Sequence, residues 1–338
     1  MIVITGGAGF IGSNLVAALS ERGERDLVVS DRLGNDDKWR NLSKHHIAKT
    51  VTPEELPGLL EANGAAVETI FHMGAISSTT ETDAGLLKTE NFDTSMNLWR
   101  WCTAHDARLI YASSAATYGD GARGFDDDGT PEALARLRPL NLYGRSKHLF
   151  DRRVARLVED GAPCPRQWAG LKFFNVYGPN EYHKGAMRSL VAKNHAKAAR
   201  GETITLFKSH HPDYADGGQL RDFVSVVDCV AVMLWLYDNP EVSGLFNLGT
   251  GIARSFADLI AALFAAYGRD VAVDYVDTPV EIRDNYQYFT RAEMSRLRAA
   301  GYDAPFLSLE DGVADYVNNH LNKRSEEHTS ELQSHLNL

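Results

Sequence analysis

The sequence predicts an α/β fold, in which a doubly wound parallel sheet with helices on both faces is joined to a smaller α/β lobe. Three observations predict it. Short apolar runs typical of buried strands alternate with helical patterns along the first half of the chain. A glycine-rich turn follows the first run and opens the first helix. Later, an apolar run at 245–248 marks a return to strand character. This alternation indicates parallel strands joined by crossover helices.

The predicted elements follow the apolar patterns in order. Strands are expected at 2–4, 27–30, 69–72, 109–112, 171–174 and 245–248. Helices are expected at 11–22, 91–102, 146–158, 186–200 and 255–267, with a final amphipathic helix near 313–321. The apolar positions of each predicted helix recur with the helical period. Residues 324–338 lack that periodicity, and their start resembles the conceptual translation of a sequencing adapter. We expect them to be a non-native or disordered tail.

Composition restricts the class of protein. The chain has 338 residues, of which 44% are hydrophobic and 24% charged, as is usual for a globular protein. Its net charge of −10 argues against a dedicated nucleic-acid binder, which needs cations to neutralise phosphates. We therefore expect no nucleic-acid partner.

The spacing of the cysteines and the lengths of the apolar runs predict the cellular location of the protein. Cys102, Cys164 and Cys229 are widely spaced and form no C-x-x-C pair, which suits reduced thiols in the cytoplasm. No apolar run approaches the roughly 20 residues that span a bilayer, and the first residues do not resemble a signal peptide. We expect a cytoplasmic protein with no membrane partner.

The first functional motif is the glycine turn, in which Gly6, Gly9 and Gly12 surround Phe10 and Ile11. Glycine lets the backbone turn tightly and approach a pyrophosphate closely, while the helix N-terminus offers N–H groups to the phosphates. Because the motif follows a strand and opens a helix, it predicts a dinucleotide-binding domain of the Rossmann type.

The second strand is expected to contact the adenosine end of that dinucleotide. Asp31 lies 19 residues after Gly12, where an acid commonly binds the ribose hydroxyls of NAD. Arg32 and Lys38 lie close by and are suited to hold the 2′-phosphate of NADP, or they are ordinary surface charges. These residues alone leave the choice between NAD and NADP open.

The third motif is a tyrosine and a lysine four positions apart. Tyr143 and Lys147 share one helix face, and Ser114 ends an earlier strand. A tyrosine normally titrates near pH 10. A neighbouring ammonium and a cationic nicotinamide ring would favour the phenolate, so Tyr143 is expected to act as a general base. Lys147 is also suited to hold the nicotinamide ribose, and Ser114 to hydrogen-bond the reacting oxygen.

Together these motifs resemble the extended short-chain dehydrogenase/reductase superfamily. The resemblance rests on 5–12, 113–114, 143–147, 221–224 and 247–251. Further segments are similar to the epimerases of that superfamily that act on an ADP-linked heptose, namely 72–81, 111–119, 173–179, 183–185 and 286–290. The resemblance covers nearly everything to about residue 320. It implies a homo-oligomer, with a pentamer expected.

The resemblance also implies roles for individual residues. NADP, with NAD as the alternative, would contact Phe10, Ile11, Asp31, Arg32, Lys38, Met73, Gly74, Ala75, Ile76, Ser77, Asn91, Tyr143, Lys147 and Val176. Tyr143 and Lys184 would be the acid/base pair, with Ser114 assisting. The nucleotide sugar would contact Ser114, Asn175, Lys184, Ala186, Lys193, Phe207, Arg221 and Tyr286. The chain departs from the family pattern at Met73, Ala186, Lys193 and Ser225, where Glu, Ser, His and Tyr are common.

Two lobes follow from this organisation. We expect a dinucleotide-binding domain over 1–175, with about 222–250 returning to it, and a substrate-binding lobe over 176–221 and 251–323. The resemblance implies a reaction that inverts carbon 6 of ADP-D-glycero-β-D-manno-heptose by transient oxidation to a 6-keto sugar and re-reduction, to supply heptose for the lipopolysaccharide core. Carbon 6 has no adjacent carbonyl, so its C–H is too weak an acid for direct deprotonation.

Alternatives were weighed against the same residues. Another nucleotide-sugar epimerase, such as a UDP-sugar 4-epimerase, shares the serine, tyrosine and lysine. A dehydratase needs acids where Ala115 and Ala116 follow Ser114. A non-catalytic dinucleotide sensor would have little need of the three polar residues together. The histidines and acids at 210–216 match no standard zinc spacing, so no metal site is expected.

Overall fold

A computed structural model of the chain describes residues 1–34, 37–283 and 287–323. The predicted tail at 324–338 and Tyr286 lie outside the described residues. The strands of the described part are β1 Ile2–Thr5, β2 Leu27–Ser30, β3 Lys49–Val51, β4 Thr69–His72, β5 Arg108–Ser114, β6 Gln167–Phe173, β7 Asn175–Tyr177, β8 Ile204–Phe207, β9 Leu220–Ser225, β10 Gly244–Leu248, β11 Ala253–Ser255 and β12 Val273–Val276.

The helices lie between these strands. They are α1 Phe10–Glu21, α2 Leu56–Asn63, α3 Ala84–Leu87, α4 Thr94–Ala104, α5 Pro131–Arg136, α6 Leu142–Glu159, α7 Leu190–Arg200, α8 Val226–Asp238, α9 Phe256–Ala266, α10 Val280–Arg283, α11 Ser295–Ala299 and α12 Leu309–Tyr316. A π-helical segment, Lys88–Asp93, joins α3 to α4, and another, Val317–Leu321, continues α12. Within the described ranges, no helix is long and apolar enough to cross a membrane.

Seven parallel strands form the central sheet, in the order β10-β6-β5-β4-β1-β2-β3. The strand order reverses beside β1, because β2 pairs with one edge of it and β4 with the other. In open α/β sheets, ligands bind outside the carboxyl ends of the strands at such a reversal. The prediction of a doubly wound parallel sheet is confirmed, including the return of the chain to the sheet at β10.

A second region packs beside this sheet. It contains a three-stranded sheet, β11-β9-β7, and a parallel pair, β12-β8. Its separate hydrophobic core is formed by α7, α9, α12 and the strands they cover, with Val191, Ile260, Leu263 and Val313 fully buried. Burial of this apolar surface stabilises the region independently of the central sheet.

Several boundaries differ from those predicted. The helix expected from residue 186 begins at Leu190, because the Ser189 hydroxyl caps it by accepting the Ala192 N–H at 3.1 Å. Residues 182–187 form a separate 3₁₀ turn that contains Gly185 at φ +53°. Helix α6 begins at Leu142, where Asn141 caps it, rather than at 146. The short strand β3 has only one buried residue, which explains why its apolar pattern was too weak to predict it.

Candidate active site

A cavity of about 530 Å³ opens at the carboxyl ends of β1, β2, β4 and β5. Its walls bring together most of the residues that the sequence selected. They include Gly6, Gly9, Phe10, Ile11, Gly12, Asp31, Arg32, Lys38, Met73, Gly74, Ala75, Ile76, Ser77, Ser114, Tyr143, Lys147, Val176 and Lys184. The glycine turn, the tyrosine–lysine pair and Lys184 are therefore parts of one site, although they are distant in the chain.

The glycine turn leaves no room for side chains. Gly6 has φ +64°, and a Cβ there would lie 2.6 Å from the Gly74 Cα. A Cβ on Gly12 would lie 2.2 Å from the Gly6 carbonyl oxygen. The backbone of the turn and the start of α1 therefore face the cavity directly, which is the arrangement that cradles a pyrophosphate.

The adenosine end of the cavity is charged. The Asp31 carboxylate accepts the Ala8 N–H at 2.9 Å and lies 3.3 Å from the Lys38 ammonium. Arg32 forms ion pairs with Glu54 and Glu90, and hydrogen bonds to these carboxylates raise its pKa. Both cations proposed for a 2′-phosphate are at the cavity, but a phosphate would have to compete with these carboxylates for Arg32.

The segment 73–77 forms another wall of the cavity. Hydrogen bonds to Thr5 and Asn91 hold its main chain in place. The Gly74 N–H donates to the Thr5 hydroxyl at 3.1 Å. The Asn91 amide accepts the Ile76 N–H at 2.8 Å and donates to the Ile76 carbonyl at 2.9 Å. Asn91 was predicted to contact the cofactor, but its side chain is buried behind this segment and does not line the cavity.

A buried hydrogen-bond chain under that wall was missed by the sequence analysis. The Thr5 hydroxyl lies 2.7 Å from His72 Nδ1, and His72 Nε2 lies 2.9 Å from the Ser95 hydroxyl, which donates to the Asn91 carbonyl. Complete burial lowers the pKa of His72 to about 3, so the imidazole stays neutral. A histidine at the end of a buried strand was the available signal.

The chain of bonds continues into helix α6. The Asn91 amide donates to the Ser146 hydroxyl at 2.9 Å, and that hydroxyl donates to the Tyr143 carbonyl at 2.7 Å. Because Ser146 lies between Tyr143 and Lys147, these bonds fix the segment 73–77 and the start of α6 relative to each other. The side chains of α6 are thereby positioned relative to the segment 73–77.

Tyr143 and Ser114 are in direct contact. The hydroxyl of Ser114 hydrogen-bonds the Tyr143 phenol, and both residues line the cavity. Helix α6 approaches the turn after β5 closely, since a Cβ on Gly144 would lie 2.6 Å from the Ala116 carbonyl oxygen. That close approach explains the glycine between the tyrosine and the lysine in sequence.

The surroundings of Tyr143 act on its pKa in both directions. The sequence argument was that a neighbouring ammonium and a cationic nicotinamide ring would favour the phenolate. In the structure, burial raises the pKa of Tyr143, the Asp151 charge raises it further, and only the Ser114 hydrogen bond lowers it. Burial raises this pKa because it disfavours the charged form of the phenol. Tyr143 is therefore protonated at neutral pH in this structure.

Lys147 shows that the cavity suits a polar ligand. Its ammonium nitrogen is buried and has no hydrogen-bond partner within the described residues. Burial lowers the pKa of Lys147 to about 8, and the Asp151 charge opposes that change. A buried donor without a partner is costly, so the position fits a group whose hydroxyls would accept from it, such as a nucleotide ribose.

Lys184 reaches the same cavity from the 3₁₀ turn of the second region. Its ammonium lies 5.0 Å from the centre of the Phe10 ring. Burial lowers the pKa of Lys184, while the Glu181 carboxylate raises it and Lys193 lowers it. Glu181 is itself buried and accepts from the Ser189 hydroxyl at 2.6 Å, which anchors the turn.

The other residues predicted to hold the sugar lie outside this cavity. Asn175, Ala186 and Lys193 are exposed, and Phe207 is half-buried at the end of β8. Arg221 was expected to grip a diphosphate, but its guanidinium donates to the carbonyls of Leu220 and Gln287 and lies over the Phe256 ring. Its fork is thus directed at main-chain oxygens here.

The loop at 209–216 was expected to be solvated rather than metal-binding. The Asp216 carboxylate accepts the Ser209 N–H at 2.8 Å, and His211 lies against Asp213. Across the described ranges, no group of three or more His, Cys, Asp or Glu side chains is arranged to hold a metal ion.

Comparison with known proteins agrees with this geometry. The profile of the NAD dependent epimerase/dehydratase family matches residues 2–249. The chain is 49% identical over 326 residues to an ADP-L-glycero-D-manno-heptose-6-epimerase of Nitratidesulfovibrio vulgaris, which covers 95% of this chain and 98% of that protein.

Two solved structures are also similar. The Helicobacter pylori ADP-L-glycero-D-manno-heptose-6-epimerase superposes with a TM-score of 0.77 at 28% identity, covering 94% of this chain and 95% of that one. A Thermus thermophilus UDP-glucose 4-epimerase in complex with NAD superposes with a TM-score of 0.72 at 25% identity, covering 94% and 97%.

Proposed function

Since this chain belongs to the NAD dependent epimerase/dehydratase family, and within it to the ADP-L-glycero-D-manno-heptose-6-epimerases, we propose that it inverts carbon 6 of ADP-D-glycero-β-D-manno-heptose. The observation that carries the proposal is the convergence of Ser114, Tyr143 and Lys184 on one cavity beside the glycine turn. An acid/base group from each region of the protein thereby reaches the same space.

We propose NADP as the resident cofactor, held by the glycine turn, the segment 73–77 and Lys147, with Arg32 and Lys38 at its 2′-phosphate. The lack of space at Gly6 and Gly12 and the unpartnered Lys147 ammonium support a dinucleotide in this place. When bound, the nicotinamide supplies reversible acceptance and return of hydride. NAD remains the alternative, because Asp31 is suited to bind ribose hydroxyls.

The side chains supply the proton transfers. With the dinucleotide bound, the Lys147 ammonium and the cationic nicotinamide ring would favour the Tyr143 phenolate, which takes the proton of the C6 hydroxyl on one face of the sugar. Ser114 hydrogen-bonds the same oxygen. A planar 6-keto sugar then presents its other face, where Lys184 protonates the oxygen. The lowered pKa of Lys184 supports its role as the acid, because a general acid works best when its pKa is near the working pH. The pKa of Lys147 is lowered as well.

The substrate would be held between the two regions. We propose that residues 1–175 and about 222–250 form the dinucleotide-binding domain, and that 176–221 and 251–323 form the lobe that holds the sugar and its diphosphate. Asn175, Ala186, Lys193, Phe207, Arg221 and Tyr286 are the proposed contacts of that lobe. Arg221 would exchange its main-chain partners for the diphosphate, to which a guanidinium binds bidentately.

The biological setting follows from the reaction. We propose a cytoplasmic homo-oligomer, with a pentamer expected, that supplies L-glycero heptose for the lipopolysaccharide core. Light scattering coupled to gel filtration tests the oligomer directly. A monomer at micromolar concentration would contradict it.

The test of the reaction is NMR of carbon 6 after incubation with ADP-D-glycero-β-D-manno-heptose. We expect the L-glycero epimer from the wild type. Tyr143→Phe should lower turnover by about 10²–10⁴-fold, the usual contribution of a general acid or base, while dinucleotide affinity is kept. A parallel incubation with UDP-glucose tests the 4-epimerase alternative. Conversion of UDP-glucose alone would overturn the proposal.

A further inference from the structure

A buried ion pair lies directly behind the proposed catalytic residues. The Lys172 ammonium on β6 lies 2.7 Å from the Asp151 carboxylate on α6, and both side chains are completely buried. Burying two charges is expensive, and a pair of well-packed apolar residues would often be as stable. The pair is therefore weak evidence for stability alone, and its position suggests another role.

Asp151 continues the helix face that carries the catalytic side chains. It lies four residues after Lys147 and eight after Tyr143, a spacing that places all three on one side of α6. Its carboxylate also accepts the Ser113 hydroxyl at 2.6 Å. Since Ser113 immediately precedes Ser114, Asp151 connects the catalytic helix to the strand end that carries the catalytic serine.

Lys172 makes the matching connection on the other side. Its ammonium also donates to the Thr117 hydroxyl at 2.7 Å, and that hydroxyl donates to the Ser114 carbonyl at 2.8 Å. The ammonium lies 5.1 Å from the centre of the Tyr118 ring. Asp151 is thus bonded directly to Ser113, and Lys172 reaches Ser114 through the Thr117 hydroxyl.

We propose that the buried Asp151–Lys172 pair is a positioning and charge-balancing element of the reaction, which holds Ser114 against Tyr143 and sets the electrostatic potential at Tyr143 and Lys147. This inference rests on the proposed function of those two residues. Asp151 and Lys172 do not touch the reacting atoms; they act through Ser113, Thr117 and the helix.

The charges around the pair support this assignment. The Asp151 charge opposes the burial that lowers the pKa of Lys147, and it adds to the burial that raises the pKa of Tyr143. The other titratable groups that face this region are Tyr111 on β5, Tyr118 in the following turn, His148 on α6 and His72 on β4. Burial lowers the pKa of His148 to about 4 and that of His72 to about 3, so both are neutral at pH 7.

Because Asp151 and Lys172 carry opposite charges, removing each charge should shift the pKa values of Tyr143 and Lys147 in opposite directions. A merely structural role would not produce such opposite shifts. Asp151→Asn removes an anion, so the pKa of Tyr143 and that of Lys147 should both fall. Lys172→Gln removes the cation that balances Asp151, so both pKa values should rise. At the separation of neighbouring helical turns, a unit charge is expected to shift them by about one pH unit. The exposed Asp160→Asn, at the end of the same helix, is the matched control and should shift neither.

The experiment measures two quantities for each variant. One is the pH profile of kcat/KM. The other is the absorbance of the Tyr143 phenolate near 295 nm with dinucleotide bound, taken as the difference from the same variant carrying Tyr143→Phe. Opposite shifts in Asp151→Asn and Lys172→Gln are the expected result. Unmoved pKa values, or shifts in the same direction, would overturn the inference even if activity falls.

Two double variants keep the test decisive if a single variant fails to fold. Asp151→Asn with Lys172→Gln leaves no charge at the pair and should still lower the Tyr143 pKa, because the Asp151 charge raises that pKa in the wild type. Asp151→Glu with Lys172→Arg keeps both charges and should leave it unchanged. An unchanged pKa in the neutral pair would overturn the proposal. The absorbance titration needs no sugar substrate, so it remains informative if the proposed epimerisation itself fails.

Discussion

The Asn91 side chain makes two hydrogen bonds to the main chain of Ile76: it accepts the Ile76 N–H at 2.8 Å and donates to the Ile76 carbonyl at 2.9 Å. This contact fixes the backbone of the segment 73–77, which forms one wall of the proposed dinucleotide site. A residue that was expected to touch the cofactor thus lies one layer behind it. Its effect on binding should be exerted through the shape of that wall.

Asn91→Ala is expected to weaken dinucleotide binding by about tenfold, because two main-chain hydrogen bonds are lost and the wall loosens. Asn91→Asp keeps the acceptor for the Ile76 N–H but loses the donor, so its loss should be intermediate. Calorimetric titration with NADP measures both. Asn97→Ala, at an exposed position of α4, the helix that follows, is the control. Equal affinities for Asn91→Ala and the wild type would contradict the bracing role.

Gly12→Ala should abolish dinucleotide binding, because its Cβ would lie 2.2 Å from the Gly6 carbonyl oxygen and force the turn apart. Gly58→Ala is the matched control. Gly58 lies exposed in α2, with nothing within 4 Å of an added Cβ, and alanine there should stabilise the protein by about 0.5–1 kcal/mol. Thermal unfolding with and without NADP distinguishes the two. Retention of the NADP-induced rise in Tm by Gly12→Ala would refute this reading of the turn.

Lys184→Gln should lower kcat by at least about 10²-fold, the usual contribution of a general acid or base. Dinucleotide affinity should change by less than a few-fold, since the glycine turn and Lys147 are intact. Lys197→Gln, exposed on α7, is the control. Turnover assays give kcat, and titration with NADP gives the dinucleotide affinity. If the variant loses only dinucleotide affinity and keeps kcat, Lys184 is a phosphate contact and not an acid.

Asp228 gives a prediction about stability and pH. Burial raises its pKa to about 6, and one hydrogen bond from the Leu307 N–H opposes this. A carboxyl whose folded-state pKa lies above its unfolded value favours folding when protonated. That contribution is fully present below the unfolded pKa and is lost as the pH rises through about 6.

Asp228→Asn keeps the acceptor for Leu307 and removes the charge. Its free energy of unfolding relative to the wild type should therefore increase between pH 5 and pH 7.5, by about 1 kcal/mol after allowance for solvent screening. Urea unfolding at both pH values measures the difference. Asp303→Asn, at an exposed position, should show no such trend. A constant difference across the range would mean that Asp228 does not titrate as described.

The sequence predicted the parts of the site that depend on local spacing. The turn from β1 into α1 follows from three glycines after a buried strand, and Tyr143 and Lys147 share a face because they are four residues apart. Asp151 extends that same face by one more turn, and this signal was not used.

Other parts depend on contacts that spacing does not encode. Thr5, His72 and Ser95 come together because β1 and β4 are neighbours and the Ser95 hydroxyl on α4 lies 2.9 Å from His72 Nε2. The burial that raises the pKa of Tyr143 has a similar origin, because the sequence shows a nearby lysine but not the environment of the phenol. The start of α7 depended on a single capping residue, Ser189.

The most direct test of the proposed mechanism is epimerisation in D₂O followed by NMR at carbon 6. If C6 is oxidised and then reduced, the hydrogen stays in the enzyme as hydride and returns to the same carbon. The account predicts an L-glycero product that carries protium at C6. Deuterium at C6 of the product would contradict it, because solvent hydrogen enters there only if the C–H bond is broken by deprotonation.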